Sequence, residues 1–236
     1  MRSFWSDPFL WIHLAGIAAI PILLETVLVG LAIGKPILPA WIEVILIGVI
    51  GILPILLMQW LRPFDIFSVL MLAIKPEKLN IQQRRILGMF KSPVNKIIAV
   101  IVAAVLAVIL WQLYRIAPLA FFAVSWLPQY RSLGLIIACL AFLATNLFLQ
   151  IPISVMGVML TSEAKYLNTE PYAVAEIRKD FTILGWQVNQ ILPESVVGYE
   201  IKADNADNSV QETNVTNSFG INSDKKPNDY LFNYWR

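Results

Sequence analysis

Hydrophobic positions in this chain fall into four long blocks separated by brief polar interruptions. Between residues 9 and 33 the only acidic or basic side chains are His13 and Glu25. Between Lys96 and Arg131 there is only Arg115, and after Arg131 no charge occurs until Glu163. An α-helix advances about 1.5 Å per residue, so about 20 to 30 apolar residues cross a hydrocarbon core about 30 Å thick. The blocks therefore predict transmembrane helices over about residues 9–33, 38–61, 94–117 and 133–160. The expected fold class is all-α: a four-span transmembrane helix bundle over 1–161, with interfacial helices and a disordered C-terminal tail.

The polar interruptions supply the boundaries. Ser6 or Asp7 can cap the first span, and Pro8 suits its first turn. Gly34-Lys35-Pro36 ends that span and Arg62-Pro63 ends the second, with so short a turn between them that they form an antiparallel pair. Residues 64–74 are too few to cross upright. With Asp65 and Lys75 near the ends they read as an interfacial or re-entrant segment. In 76–93, Glu77, Lys78, Gln82, Gln83, Arg84, Arg85 and Lys91 accompany an apolar face of Leu79, Ile86, Met89 and Phe90, the pattern of a basic amphipathic helix on a membrane surface. The aromatic piece 118–127 suits the interface, and Pro152 predicts a kink in span four.

Beyond Thr161 the composition changes. Residues 162–201 predict a cytoplasmic amphipathic segment. Thr169-Glu170-Pro171 marks a helix start, and Ile177, Phe181, Leu184, Val188 and Ile191 make a helical stripe running to Pro193. Residues 202–229 are mostly Asn, Asp, Ser, Thr and Lys, too polar to offset the entropy of ordering, and predict a disordered linker. It leads into an aromatic peptide, 230–236, in which Tyr230, Phe232, Tyr234 and Trp235 are candidate partner-binding anchors.

Charge fixes the expected orientation. With four spans, one side carries Arg2, Arg62, Lys75, Lys78, Arg84, Arg85, Lys91, Lys96, Lys165, Arg178 and Lys179, and the other only Lys35, Arg115 and Arg131. The positive-inside rule then places both termini in the cytoplasm. Composition agrees with a membrane protein: of 236 residues, 58% are hydrophobic and 14% charged, and the net charge of +2 with no basic aromatic stripe argues against nucleic-acid binding. The single cysteine, Cys139, excludes an internal disulfide. The first apolar run is too long for a cleavable signal, so span one is expected to act as its own insertion signal.

Few residues offer chemistry. Glu25 lies about 12 Å of helix rise inside the end of span one, where a carboxylate is costly and should face the bundle interior or water. Glu43 enters span two from the same side. The two carboxyls could share a proton or bind a cation; alternatively Glu43 sits at the interface and Glu25 is protonated or bonds to Gln112, Asn146 or a hydroxyl. His13 could ligate a pigment, chlorophyll being one choice, or rest at headgroup depth beside Trp5 and Trp11. Ala15/Ala19, Gly30/Gly34 and Gly48/Gly51 allow close helix approach. Pro21, Pro54 and Pro152 lie inside spans, but no inverted repeat relates the two halves. There is no phosphate-binding loop, no metal-ligand pair on a helix face and no nucleophile with an available base. Asn214-Val215-Thr216 fits a glycosylation acceptor that a cytoplasmic position would leave unused.

The stretches 7–16 (DPFLWIHLAG) and 54–64 (PILLMQWLRPF), followed by the polar tail after Lys202, resemble the cyanobacterial low-complexity-tail membrane proteins over about residues 1–200. The resemblance implies an oxygenic photosynthetic cell, a thylakoid or plasma membrane, and no assigned chemistry. The expected function is a non-enzymatic accessory or assembly protein that contacts the bilayer and a larger membrane complex through its helical faces and tethered tail. The alternatives are a small cation or proton pathway through Glu25 and Glu43, or binding of a chlorophyll or carotenoid.

Overall fold

The computed structural model describes residues 3–69, 71–183 and 185–192, so the expectations for the tail at 202–236 lie outside the described residues. The fold below is that of the first of two compact units, Met1–Ile191. Among the described residues four helical spans are long and apolar enough to cross a membrane: Pro8–Ala32, Ala40–Leu61, Pro93–Val124 and Arg131–Met159. The predicted all-α bundle of four spans is present, with three short strands added.

Span one consists of α1 (Pro8–Ala15) and α2 (Ile20–Ala32), joined by a 3-10 turn over Gly16–Ala19. Asp7 caps α1 by accepting from the Phe9 amide. Pro21 explains the change of winding: it has no N–H to bond back to the Ile17 carbonyl, which the Ile20 amide takes instead through a tighter turn. Gly34, at φ 70°, turns the chain in a conformation other residues resist. Span two is α3 (Ala40–Leu61) and span four is α6 (Arg131–Met159), each carrying an internal proline, Pro54 and Pro152. Span three is α5 (Pro93–Ile116), prolonged by a 3-10 helix over Ala117–Val124. The aromatic piece expected to lie in the interface by itself is thus largely an extension of span three, and it packs on α2.

Helix α6 is central and packs against the other three spans. Lipid tails are as apolar as leucine, so spans associate by close packing rather than by excluding water. Glycines permit that closeness. A Cβ on Gly134 would lie 2.5 Å from the Gly30 carbonyl oxygen, and one on Gly51 would lie 2.4 Å from the Phe142 ring. The core between spans includes Val27, Leu31, Ile47, Leu106, Leu110 and Phe142. Ile22, Trp41, Ile97, Val108 and Leu140 face outward, as an apolar solvent demands.

The segments after spans two and four meet at one end of the bundle. Arg62 donates to the carbonyls of Arg178 and Phe181, and the Trp5 indole donates to the Met159 carbonyl at 2.9 Å. Residues 64–74, expected as an interfacial or re-entrant segment, contain two strands. They form a hairpin of β1 (Ser68–Val69) and β2 (Leu72–Ile74), which β3 (Trp186–Val188) joins in parallel, with Ala73 opposite Gln187. The physical reason is burial: Phe64, Ile66 and Phe67 are enclosed, and Phe67 meets Phe9 edge-on at 5.6 Å. The basic helix is present as α4 (Ile81–Phe90), held by a capping box between Asn80 and Gln83. It is followed after span four by α7 (Glu163–Leu167) and α8 (Val174–Asp180).

The single amphipathic helix expected up to residue 192 is therefore corrected. Ile177 and Phe181 are buried on its stripe, but the chain becomes extended at Phe181. Gly185 then runs so close to Met71 that only glycine fits, since a Cβ would lie 1.9 Å from the Met71 carbonyl oxygen. The Trp186 amide donates to that carbonyl at 2.8 Å, so sheet pairing wins over helical continuation.

Candidate functional site

At the end of the bundle remote from the strands, one buried ion pair gathers all four spans. Glu43, in the first turn of α3, is wholly enclosed, and Arg131, at the start of α6, is 4% exposed. Arg131 Nε donates to Glu43 Oε1 at 3.1 Å and its Nη2 bonds Oε2, a two-pronged pairing. Its Nη1 donates to the carbonyls of Leu31 at 2.7 Å and Ile33 at 3.2 Å, which the end of α2 leaves without intrahelical donors. The Tyr114 hydroxyl donates to Glu43 Oε2 at 3.0 Å, bringing in span three. The amides of Ile37 and Leu38 also point at Oε1. Such an arrangement holds and orients helices; it leaves neither charge open to a mobile ion.

A second polar group lies deeper, on one face of α6. Thr145, Asn146, Gln150 and Ser154 are buried at roughly one-turn spacing. Asn146 Nδ2 donates to the carbonyls of Gly51 at 3.0 Å and Ile52 at 3.3 Å, just before Pro54 in α3. Proline disturbs the helical ladder there, and the amide of a neighbouring span satisfies the disturbed region. Gln150 Nε2 donates to Asn146 Oδ1 at 2.9 Å, while its own Oε1, though buried, accepts nothing among the described residues.

The predicted ion site is not assembled. Glu43 faces Arg131, and no hydrogen bond or ion pair among the described residues joins it to Glu25. Glu25 is exposed on the outer surface of α2, and neither Gln112 nor Asn146 bonds it. The expected hydrogen-bonding neighbour, Gln112 or Asn146, is corrected, and of the two expected surroundings, bundle interior or water, the interior is excluded. The reason is rotational: in α2 Val27, Gly30 and Leu31 turn inward, which points residue 25 away.

His13 Nδ1 lies 2.8 Å from the Phe9 carbonyl. Because a carbonyl only accepts, Nδ1 donates to it, and the ring also bonds the Ser68 backbone. The ring stands 6.0 Å from Phe64, in the wall of an apolar cavity of 400 Å³ that Gly16, Met71, Phe148 and Pro152 also line. Tyr230, Phe232, Tyr234 and Trp235 lie outside the described residues.

At the strand-bearing end, two carboxyls are buried without a cation. Asp7 accepts from the Phe9 amide and the Gln83 side chain, and burial lifts its pKa to about 6. Asp65 accepts from the Phe67 amide at 3.0 Å, its Oδ2 accepts nothing among the described residues, and burial likewise lifts its pKa to about 6. Nearer the surface, Lys91 pairs with Asp180 at 2.7 Å and donates to the Tyr172 hydroxyl, which in turn bonds Asp180. Lys91 holds the Asp180 carboxyl below its ordinary range, and Asp180 and Tyr172 hold Lys91 above its own.

Sequence reasoning named Glu43 but missed Arg131 and Tyr114, and counted Arg131 as a loop charge. The available signal was its place at the mouth of an apolar run, level with a carboxylate that enters span two from the same side. Gln150 and Ser154 were legible as polar residues one turn apart within a span.

Four packed spans and a small polar cap define a helical integral membrane protein whose intramembrane polar groups serve mainly to bind its own helices. The chain belongs to the low-complexity tail membrane protein-like family, whose model matches residues 6–193. No curated protein and no solved structure matches it.

Proposed function

We propose that this chain is a non-enzymatic accessory or assembly protein that joins a larger complex in a photosynthetic membrane, with both termini in the cytoplasm. The observation that carries this reading is an apolar patch on the cap. Met71 is 71% exposed and Trp186 78%, and Leu72 sits opposite Trp186 in the sheet. Adjoining exposed apolar side chains outside the spans are a contact surface for a partner or for the bilayer face. The inward bonding of Glu43, Arg131, Asn146 and Gln150 supports binding rather than chemistry as the role of the bundle. The excess of Lys and Arg on the capped side supports the cytoplasmic placement, and the polar tail with its aromatic end gives a second, tethered contact.

Native gels of mild-detergent extracts test this reading. The wild type should migrate well above its own size. Trp186→Ala and deletion of residues 230–236 should each weaken that association while leaving the chain folded. Migration of the wild type as a lone chain would overturn it.

The cavity beside His13 favours a second reading, a bound chlorophyll or carotenoid. Visible absorbance would then copurify with the protein and fall in His13→Ala; a colourless preparation counts against it.

A further inference from the structure

We propose that the outward face of span one around Glu25 is a docking surface for a transmembrane helix of another protein, one that carries a basic or amide side chain at the depth of Glu25. This rests on the interaction reading above and gives that reading an intramembrane surface and a partner chemistry.

Depth comes first. Arg131 bonds the Ile33 carbonyl at the end of the bundle, and Glu25 lies eight residues earlier in the same span, about 12 Å further in. Glu25 is exposed there, and no hydrogen bond or ion pair is formed to it among the described residues. A carboxyl turned toward hydrocarbon is costly whether ionised or protonated, because lipid offers no donor and no acceptor. Its neighbour Thr26 cannot relieve it, since that hydroxyl donates to the Ile22 carbonyl at 2.8 Å.

The surroundings fit a helix. Trp11, Ala15, Ala18, Ile22 and Glu25 are all exposed along the length of span one, on both sides of its 3-10 turn, and give a second helix a surface to pack along. The alanines let a backbone come near, and the carboxyl at the end of that surface selects a partner with a donor.

A second copy brings no cation or amide to that depth. Gln112 and Arg115 are the exposed amide and cation on span three. They flank Tyr114, which reaches Glu43 at the bundle end, so Gln112 sits about six residues, or roughly 9 Å, nearer the membrane surface than Glu25. A symmetric pairing would set one Glu25 carboxyl against another and leave the surface without the basic or amide group proposed.

The test places a photoreactive residue at Ile22 in the full chain in its native membrane, with controls at Val105 and Ile136, which are exposed on other spans. The expected product at Ile22 is an adduct to an apolar helix bearing Lys, Arg, Asn or Gln within one turn of the linked residue. Its yield should fall at least tenfold in Glu25→Leu and recover partly in Glu25→Gln, with the control positions unchanged. Four results would overturn the proposal: lipid-only adducts, an adduct at twice the chain's own mass, a linked helix without a donor, or a yield indifferent to Glu25→Leu. If large native complexes persist while Ile22 forms no protein adduct, this inference fails and the interaction reading stands. If no complex forms, both fail.

Discussion

Arg131 shows how much can hang on one side chain. It neutralises Glu43 and also occupies two carbonyls at the end of α2, so its removal leaves a buried carboxylate and two unsatisfied acceptors together. Breaking a buried pair from one side costs about 3–5 kcal/mol, whereas replacing both partners by apolar residues of similar volume is far milder. Arg131→Leu and Glu43→Leu should each lower stability in detergent by that order, and the double variant should recover part of the loss. A loss in the double variant equal to the sum of the two single losses, measured by reversible unfolding, would show that the pair is not coupled. Asp65 makes a prediction of the opposite sign. Its pKa is raised from an ordinary 3.8 to about 6, so the folded state disfavours its charged form. Its contribution to stability is complete below about pH 4 and is lost as pH rises through about 6, a change of about 3 kcal/mol. Protection of the Phe67 amide, taken relative to its intrinsic exchange rate at each pH, should fall across that window, and Asp65→Asn should remove the fall.

Helices here meet at glycines, and substitutions at those glycines test the packing directly. A methyl on Gly134 strikes backbone, the Gly30 carbonyl oxygen, which cannot swing aside. Gly48 is the control, because a Cβ there meets only Leu110 Cδ2 at the ordinary distance of 3.7 Å. Gly134→Ala should destabilise by about 1–3 kcal/mol, in the range of overpacked cores, and Gly48→Ala should be near neutral. Asn146→Leu should cost less, up to about 1.7 kcal/mol, as interhelical hydrogen bonds in membranes do. Thermal unfolding of the three variants side by side ranks these effects, and a neutral Gly134→Ala would contradict the close approach of spans one and four. Among the elements, spans were the most legible, since twenty apolar residues have one way to satisfy their backbone in lipid. The cap was least legible. In 171–191 the apolar spacing suited a helix, but the strand at Trp186 depends on a partner more than a hundred residues away.

For the whole molecule, an even number of spans places the α4 segment and the α8 segment at one end of the bundle, as the contacts of Arg62 and Trp5 also require. Cysteines introduced singly at Arg85 and Lys179, with Cys139 replaced, should react with a membrane-impermeant thiol reagent from the same side, and one at Lys35 from the other. Labelling of positions 85 and 179 from opposite sides would remove a span from the topology. Labelling of both from the outside would reverse the proposed orientation and leave the bundle intact.

Composition and spacing alone determined that this is a membrane protein, that four segments are long and apolar enough to cross, and where all but the third of them end. Those are local consequences of helix rise, proline and the hydration of charge. Tertiary structure decided which way each polar group faces. Periodicity tells that Glu25 and Glu43 lie in neighbouring spans. Only the rotation of packed helices puts Glu43 against Arg131 and turns Glu25 outward, because in a bundle that rotation is set by where glycines let two backbones touch.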